Sequence, residues 1–139
     1  NSIKVPIVEN ISMQTIQNKK RILIVDDEIL LCTLACELLS DAGYATIEAY
    51  SGAEALHKYR KDFQNIDMVI VDMLMPNMNG TELLGKMFEI NANLKAIVIS
   101  GFTGNLDLND IIKNKKIPFL QKPFEESNLL RLIEQTLSK

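Results

Sequence analysis

The chain has no apolar run near the roughly 18 residues that a membrane-crossing helix needs. Residues 1–20 lack the compact apolar block of a secretory signal. Basic charge is in short supply. Lys+Arg 15 against Asp+Glu 18 leaves a net charge of −3, which argues against a nucleic-acid binder of the usual electrostatic kind. Cysteine occurs only at positions 32 and 36, four apart in an apolar helical pattern. Cys32 and Cys36 read as two buried thiols on one helix face, not as a disulfide or a metal pair. The single histidine, His57, lies in the polar run His57-Lys58-Tyr59-Arg60 and reads as a surface residue. There is no internal repeat and no low-complexity tract. These absences point to a cytoplasmic, reducing setting, with no direct nucleic-acid binding and no membrane contact by this domain. What is present is a core: 139 residues, 47% of them apolar, suit one globular domain and exclude intrinsic disorder.

Residues 1–20 mix polar side chains with isolated Ile and Val and show no sustained period. They are expected to be a linker or leader. With no Met at position 1, the chain is expected to be a piece of something larger. From residue 21 to 139 the pattern is regular and reads as one domain. Ile22-Leu23-Ile24-Val25, Met68-Val69-Ile70-Val71 and Ala96-Ile97-Val98-Ile99 are short continuous apolar runs, typical of parallel strands buried on both faces. Weaker strands are expected over 46–50 and 117–120. Between them, helices are expected over 29–42, closed by Gly43, then from the Ser51-Gly52-Ala53-Glu54 capping box to about 61, then over 81–90, 105–114 and 124–137. The first of these rests on Ile29, Leu30, Leu34, Leu38 and the alanines at helical spacing. The helix over 105–114 has the poorest pattern, being rich in Asn and Asp. Residues 101–116 are therefore expected to be mobile. Strictly alternating strands and helices imply right-handed crossovers and a parallel sheet covered on both sides.

In such a sheet, ligands gather beyond the carboxyl ends of the strands. The residues expected there are Asp26 and Asp27, Asp72, Ser100 and, just past the last strand, Lys122. Each has an ordinary alternative alone: an Asp caps helices, a Ser before Gly makes turns, a Lys is solvated. Together they make three carboxylates that repel one another unless a cation sits among them. A few hard oxygen ligands suit Mg²⁺, which takes a phosphate oxygen readily. Lys122 and Ser100 would hold the remaining phosphoryl oxygens. The set reads as a Mg²⁺ and phosphoryl site with a carboxylate as candidate nucleophile.

These residues resemble the receiver domains of response regulators in two-component signalling. The first strand with Asp26-Asp27 is similar to that family's first strand. Asp72-Met73-Leu74-Met75-Pro76-Asn77-Met78-Asn79-Gly80 is similar to its phosphoacceptor segment, D-x-x-M-P-x-M-x-G. Ser100-Gly101 and Lys122-Pro123-Phe124 match its remaining two motifs, in order. The resemblance implies a flavodoxin-like, doubly wound α/β fold, a single five-stranded parallel sheet of order 2-1-3-4-5 with five helices on two faces. It implies that Asp72 accepts a phosphoryl group from a phosphohistidine, and that Asp27, Asp72 and the Leu74 backbone carbonyl bind Mg²⁺, with Asp26 acting through water. It further implies that Lys122 pairs with the phosphoryl group across a cis bond to Pro123, and that Ser100 and Phe119 form the switch pair. The implied partner is a histidine kinase or a histidine phosphotransfer domain. The run Val98-Ile99-Ser100-Gly101-Phe102 is similar to receivers of hybrid sensor histidine kinases.

Two departures carry expectations. The apolar Leu74 and Phe102 would flank the approach of a hydrolytic water and slow phosphate loss. Met73, Met75 and Met78 would pack around or cover the site. The competing reading is a Mg²⁺-dependent phosphatase with an aspartyl nucleophile. It usually needs an acid two residues after the nucleophile, where Leu74 stands, and a cap for which the chain has no room. The domain is expected to be a phosphoacceptor, not a turnover enzyme. No oligomeric state follows from the sequence.

Overall fold

The computed structural model describes residues 19–101 and 110–139, the side chains of 110–112 excepted. Strands β1 (Arg21–Val25), β2 (Ala45–Ala49), β3 (Met68–Asp72), β4 (Ala96–Ser100) and β5 (Phe119–Gln121) form one sheet of order β2-β1-β3-β4-β5. All four pairings are parallel. The helices are α1 (Ile29–Asp41), α2 (Gly52–Asp62), α3 (Gly80–Ile90), α4 (Asp110–Lys115) and α5 (Glu126–Leu137), with a short 3₁₀ turn at Phe63–Asn65.

Period-two alternation within the apolar runs builds a core on each side of the sheet. Ile22 and Ile24 of β1, Met68 and Ile70 of β3, and Ile97 and Ile99 of β4 face Cys32, Cys36 and Leu39 of α1 and Leu129 and Ile133 of α5. Leu23, Val25, Val69, Val71 and Val98 face the other way, against Ala55 and Tyr59 of α2 and Leu83, Leu84 and Met87 of α3. Both thiols are buried and free, as their spacing implied.

Local signals set the boundaries. Gly43 takes φ +99, open only to a residue without a Cβ penalty, and its N–H donates to the Ser40 carbonyl. The Tyr44 N–H reaches back to the Leu39 carbonyl, completing the paired bonds that close α1. Ser51 caps α2 by accepting from the Glu54 N–H, while the Glu54 carboxylate takes the N–H of Tyr50 rather than that of Ser51. β5 starts two residues later than its apolar run. Pro118 has no N–H to give the ladder and contributes only its carbonyl, to the Val98 N–H. α5 likewise begins at Glu126, after Pro123 and an extended Glu125.

One face differs from its sequence pattern. Ile29, Leu30 and Leu34, which mark α1 as a helix, point to solvent and are 60%, 70% and 51% exposed. The smaller Cys32, Cys36 and Ala35, with Leu39, take the inward positions. The expected start of the fourth helix lies in residues 102–109, outside the described residues, as do Phe102 and half of the segment expected to be mobile.

Candidate functional site

The sheet order reverses direction between β1 and β3, so a crevice opens there beyond their carboxyl ends. Asp26 follows β1 directly, and its N–H still bonds to the Ala49 carbonyl at 3.1 Å, which fixes it at the end of the ladder. Its Oδ1 accepts from the Glu28 N–H at 2.9 Å, the turn-forming role open to any Asp before a helix. Its Oδ2 remains for the site. Asp72 is the last residue of β3 and is 7% exposed. Its Oδ1 accepts from the Leu74 N–H at 3.2 Å. Asp27 is exposed at the rim. One carboxylate oxygen each from Asp26, Asp27 and Asp72 lies within 4.8 Å of the others.

Lys122 enters from past the end of β5. Its backbone N–H donates to the Ser100 carbonyl at 2.8 Å, and the bond to Pro123 is cis, as the resemblance implied. Its ammonium lies 3.3 Å from Asp26 Oδ2 and 3.5 Å from Asp72 Oδ2. Burial works against the Lys122 charge, but Asp72 and Asp26 outweigh it and hold its pKa above the ordinary lysine value. Burial also dominates at Asp72. It pushes the carboxyl above the usual range against the opposing pull of Lys122 and the Leu74 N–H, while Asp26 adds repulsion. Ser100 ends β4 and is fully buried. Phe119 begins β5 opposite Val98, half-buried against the α2–α3 core.

The structure thus brings Asp26, Asp27, Asp72, Ser100 and Lys122 to one rim. Three carboxylates against one ammonium leave a deficit of two positive charges among hard oxygen donors, a set that fits a divalent cation such as Mg²⁺. Leu74 stands beside Asp72 with its side chain 57% exposed. Met75 is buried, and Met73 and Met78 are half-buried against the α2–α3 core, so the methionines pack under the site loop. His57 is exposed.

Two features went unread in the sequence. A Cβ at Gly80 would come 2.8 Å from the Asp72 carbonyl oxygen and 2.9 Å from Met73 Cα, so α3 seats directly on the end of β3 only because this residue is glycine. The exposed apolar face of α1 continues into a groove between α1 and α5, walled by Leu31, Leu34, Leu38 and Phe124, that reaches Asp26, Asp72 and Lys122. The signal was Ile29-Leu30-Leu31, three consecutive apolar residues that no single helix face can bury.

Comparison with known proteins agrees with this arrangement. The family model described as response regulator receiver domain matches residues 22–134. The chain is 32% identical over 117 residues to the chemotaxis protein CheY of Thermotoga maritima, covering 84% of this chain and 96% of that protein. It is 30% identical over 118 residues to the sensor kinase CckA of Brucella abortus, a match that covers 85% of this chain but spans 12% of the kinase. The crystal structure of a CheX–CheY–BeF3–Mg complex from Borrelia burgdorferi superposes with TM-score 0.78 at 30% identity, covering 86% of this chain and 90% of the matched one. With its sheet order, its acidic rim and these relatives in agreement, the chain belongs to the response-regulator receiver domains of two-component signalling.

Proposed function

We propose that Asp72 is the phosphoacceptor, taking a phosphoryl group from a phosphohistidine of a histidine kinase or histidine phosphotransfer domain. The observation that carries this is the position of Asp72. It is buried at the end of β3, with Lys122 at 3.5 Å and with one carboxylate oxygen each from Asp26 and Asp27 within 4.8 Å. Asp27, Asp72 and the Leu74 carbonyl would hold Mg²⁺ directly and Asp26 through water. The bound ion supplies the charge neutralisation that lets an anionic phosphoryl group enter an acidic rim. In the transfer the P–N bond to histidine breaks and a P–O bond to Asp72 forms. Lys122 would then exchange its contact with the Asp72 carboxylate for one with the phosphoryl oxygens. Ser100 and Phe119, on the adjoining strands, would read the modified state.

This is chemistry the domain performs on itself, once per signal, rather than turnover of a metabolite. Residues 21–139 are the receiver unit in this reading. The similarity to the receiver domain of a hybrid histidine kinase supports membership in a hybrid kinase. Among the described residues no helix is long and apolar enough to cross a membrane, which suits a domain that works in the cytoplasm.

The exposed face of α1 fits the protein donor. A phosphohistidine must be brought to Asp72, and the apolar groove ends there. Leu30→Glu and Leu34→Glu change only solvent-exposed side chains. Each is expected to slow transfer from a phosphohistidine protein about tenfold, the effect of losing about 1.4 kcal/mol at an interface. Labelling by acetyl phosphate, which needs no docking surface, should stay unchanged. Equal loss with both donors, or no loss with the protein donor, would refute the docking role.

A further inference from the structure

We infer that Gly52 and Met78 are positioning residues for the divalent cation: the bare first residue of α2 is the seat on which Met78 fixes the β3–α3 loop. The inference rests on the reading that this rim binds Mg²⁺. Gly52 does not need glycine for its backbone, because its φ is not positive. Glycine is also a poor helix former, so the reason for it is space. A Cβ at Gly52 would stand 2.8 Å from Met78 Cβ, 2.8 Å from Met78 Sδ and 3.0 Å from Met78 Cγ. The thioether could swing aside. Met78 Cβ cannot, because it is tied to the loop backbone.

The strain of an added methyl would therefore fall on one of two backbones, and α2 is the firmer. It is capped by Ser51 and Glu54 and anchored by the buried Ala55, Leu56 and Tyr59. The loop has fewer ties. At its start the Met73 N–H bonds to the Ile99 carbonyl at 2.9 Å, and the Gly80 N–H returns to the Met73 carbonyl at 3.0 Å. In its middle Met75 is buried in the core. Beyond that, Asn77 holds φ 69, and the Met78 N–H bonds to the Pro76 carbonyl at 2.7 Å. Met78 on Gly52 ties the far limb of this turn to α2. Leu74 lies within the loop so pinned, and its N–H holds Asp72 Oδ1 at 3.2 Å. Displacing the loop moves both the Leu74 peptide and the carboxylate orientation it sets. Groups that orient metal ligands in this way commonly govern affinity without touching the ion.

The test measures the Mg²⁺ dissociation constant by calorimetry, together with the melting temperature in EDTA, on the full chain and three variants. Gly52→Ala is expected to bind Mg²⁺ about tenfold more weakly, in the range seen when outer-shell groups are removed. Ala53→Gly, an exposed neighbour in the same turn of α2, loosens the helix without touching the loop and is expected to bind as the wild type does. A folded Gly52→Ala protein that binds Mg²⁺ normally overturns the inference. So does an equal loss in Ala53→Gly, which would make the effect one of α2 stability. If Gly52→Ala does not fold, Met78→Ala decides: weaker Mg²⁺ binding supports the seat and unchanged binding rejects it. A wild type that binds no Mg²⁺ refutes the underlying reading of the rim, and the inference with it, an outcome distinct from the others.

Discussion

Replacing Asp72 with Asn should stabilise the metal-free domain, although Asp72 sits in an ion pair. At an effective dielectric of about 20, Asp26 at the cluster's outer separation of 4.8 Å repels Asp72 by about 3.5 kcal/mol. Lys122 at 3.5 Å attracts it by about 5 kcal/mol on the same basis. Asp27 is exposed, so water screens its repulsion to about 1 kcal/mol. The pairwise contributions nearly cancel, and burial of the charge then decides the sign, as the raised pKa of Asp72 indicates. A carboxyl whose pKa rises on folding adds stability while protonated and loses it as pH rises through the folded-state value. Asn keeps the shape without the charge, and Lys122 retains Asp26 at 3.3 Å. The expected gain at neutral pH in EDTA is about 1 kcal/mol, or about 3–4 °C in melting temperature for a domain of this size. The gain should shrink as pH falls through the Asp72 pKa. Saturating Mg²⁺ should reverse the order, adding about 2.7 kcal/mol to the wild type at a hundredfold excess over its dissociation constant. Thermal unfolding in EDTA and in Mg²⁺ at several pH values checks this. If Asp72→Asn melts below the wild type in EDTA at neutral pH, Lys122 outweighs burial and the electrostatic account of the rim is wrong.

Gly80→Ala would press a methyl onto the Asp72 carbonyl and Met73 Cα, backbone atoms that cannot step aside, and should cost about 1–3 kcal/mol in urea unfolding along with slower labelling. Leu74→Asn places a hydrogen-bonding side chain at an exposed position beside Asp72 and should hasten loss of the phosphoryl group. An unchanged decay rate would show that this side chain does not control the attacking water.

The strand runs were legible because burial on both faces leaves an unbroken apolar string, and each string ends at the polar residue that belongs to the rim. That is how Asp26, Asp72 and Ser100 could be placed from sequence, and Lys122 past the shortest strand. Boundaries near proline were less legible: Pro118 and Pro123 delay β5 and α5 because a missing N–H and a fixed φ act at single positions. The direction of α1 was legible only in part, through the spacing that placed Cys32 and Cys36 inside. Ile29, Leu30 and Leu34 keep helical spacing as well, but of the two apolar arcs the one containing the two cysteines faces the sheet. The seats at Gly52 and Gly80 depend on which residues come opposite them in space, information that one sequence does not carry.

The most direct test of the account is the site of phosphorylation. Incubation with acetyl phosphate and Mg²⁺, followed by intact-protein mass spectrometry, should show one added phosphoryl group on the wild type, none in EDTA and none on Asp72→Asn. Undiminished labelling of the Asp72→Asn protein would contradict the assignment of Asp72 as the acceptor, and with it the function proposed for the rim.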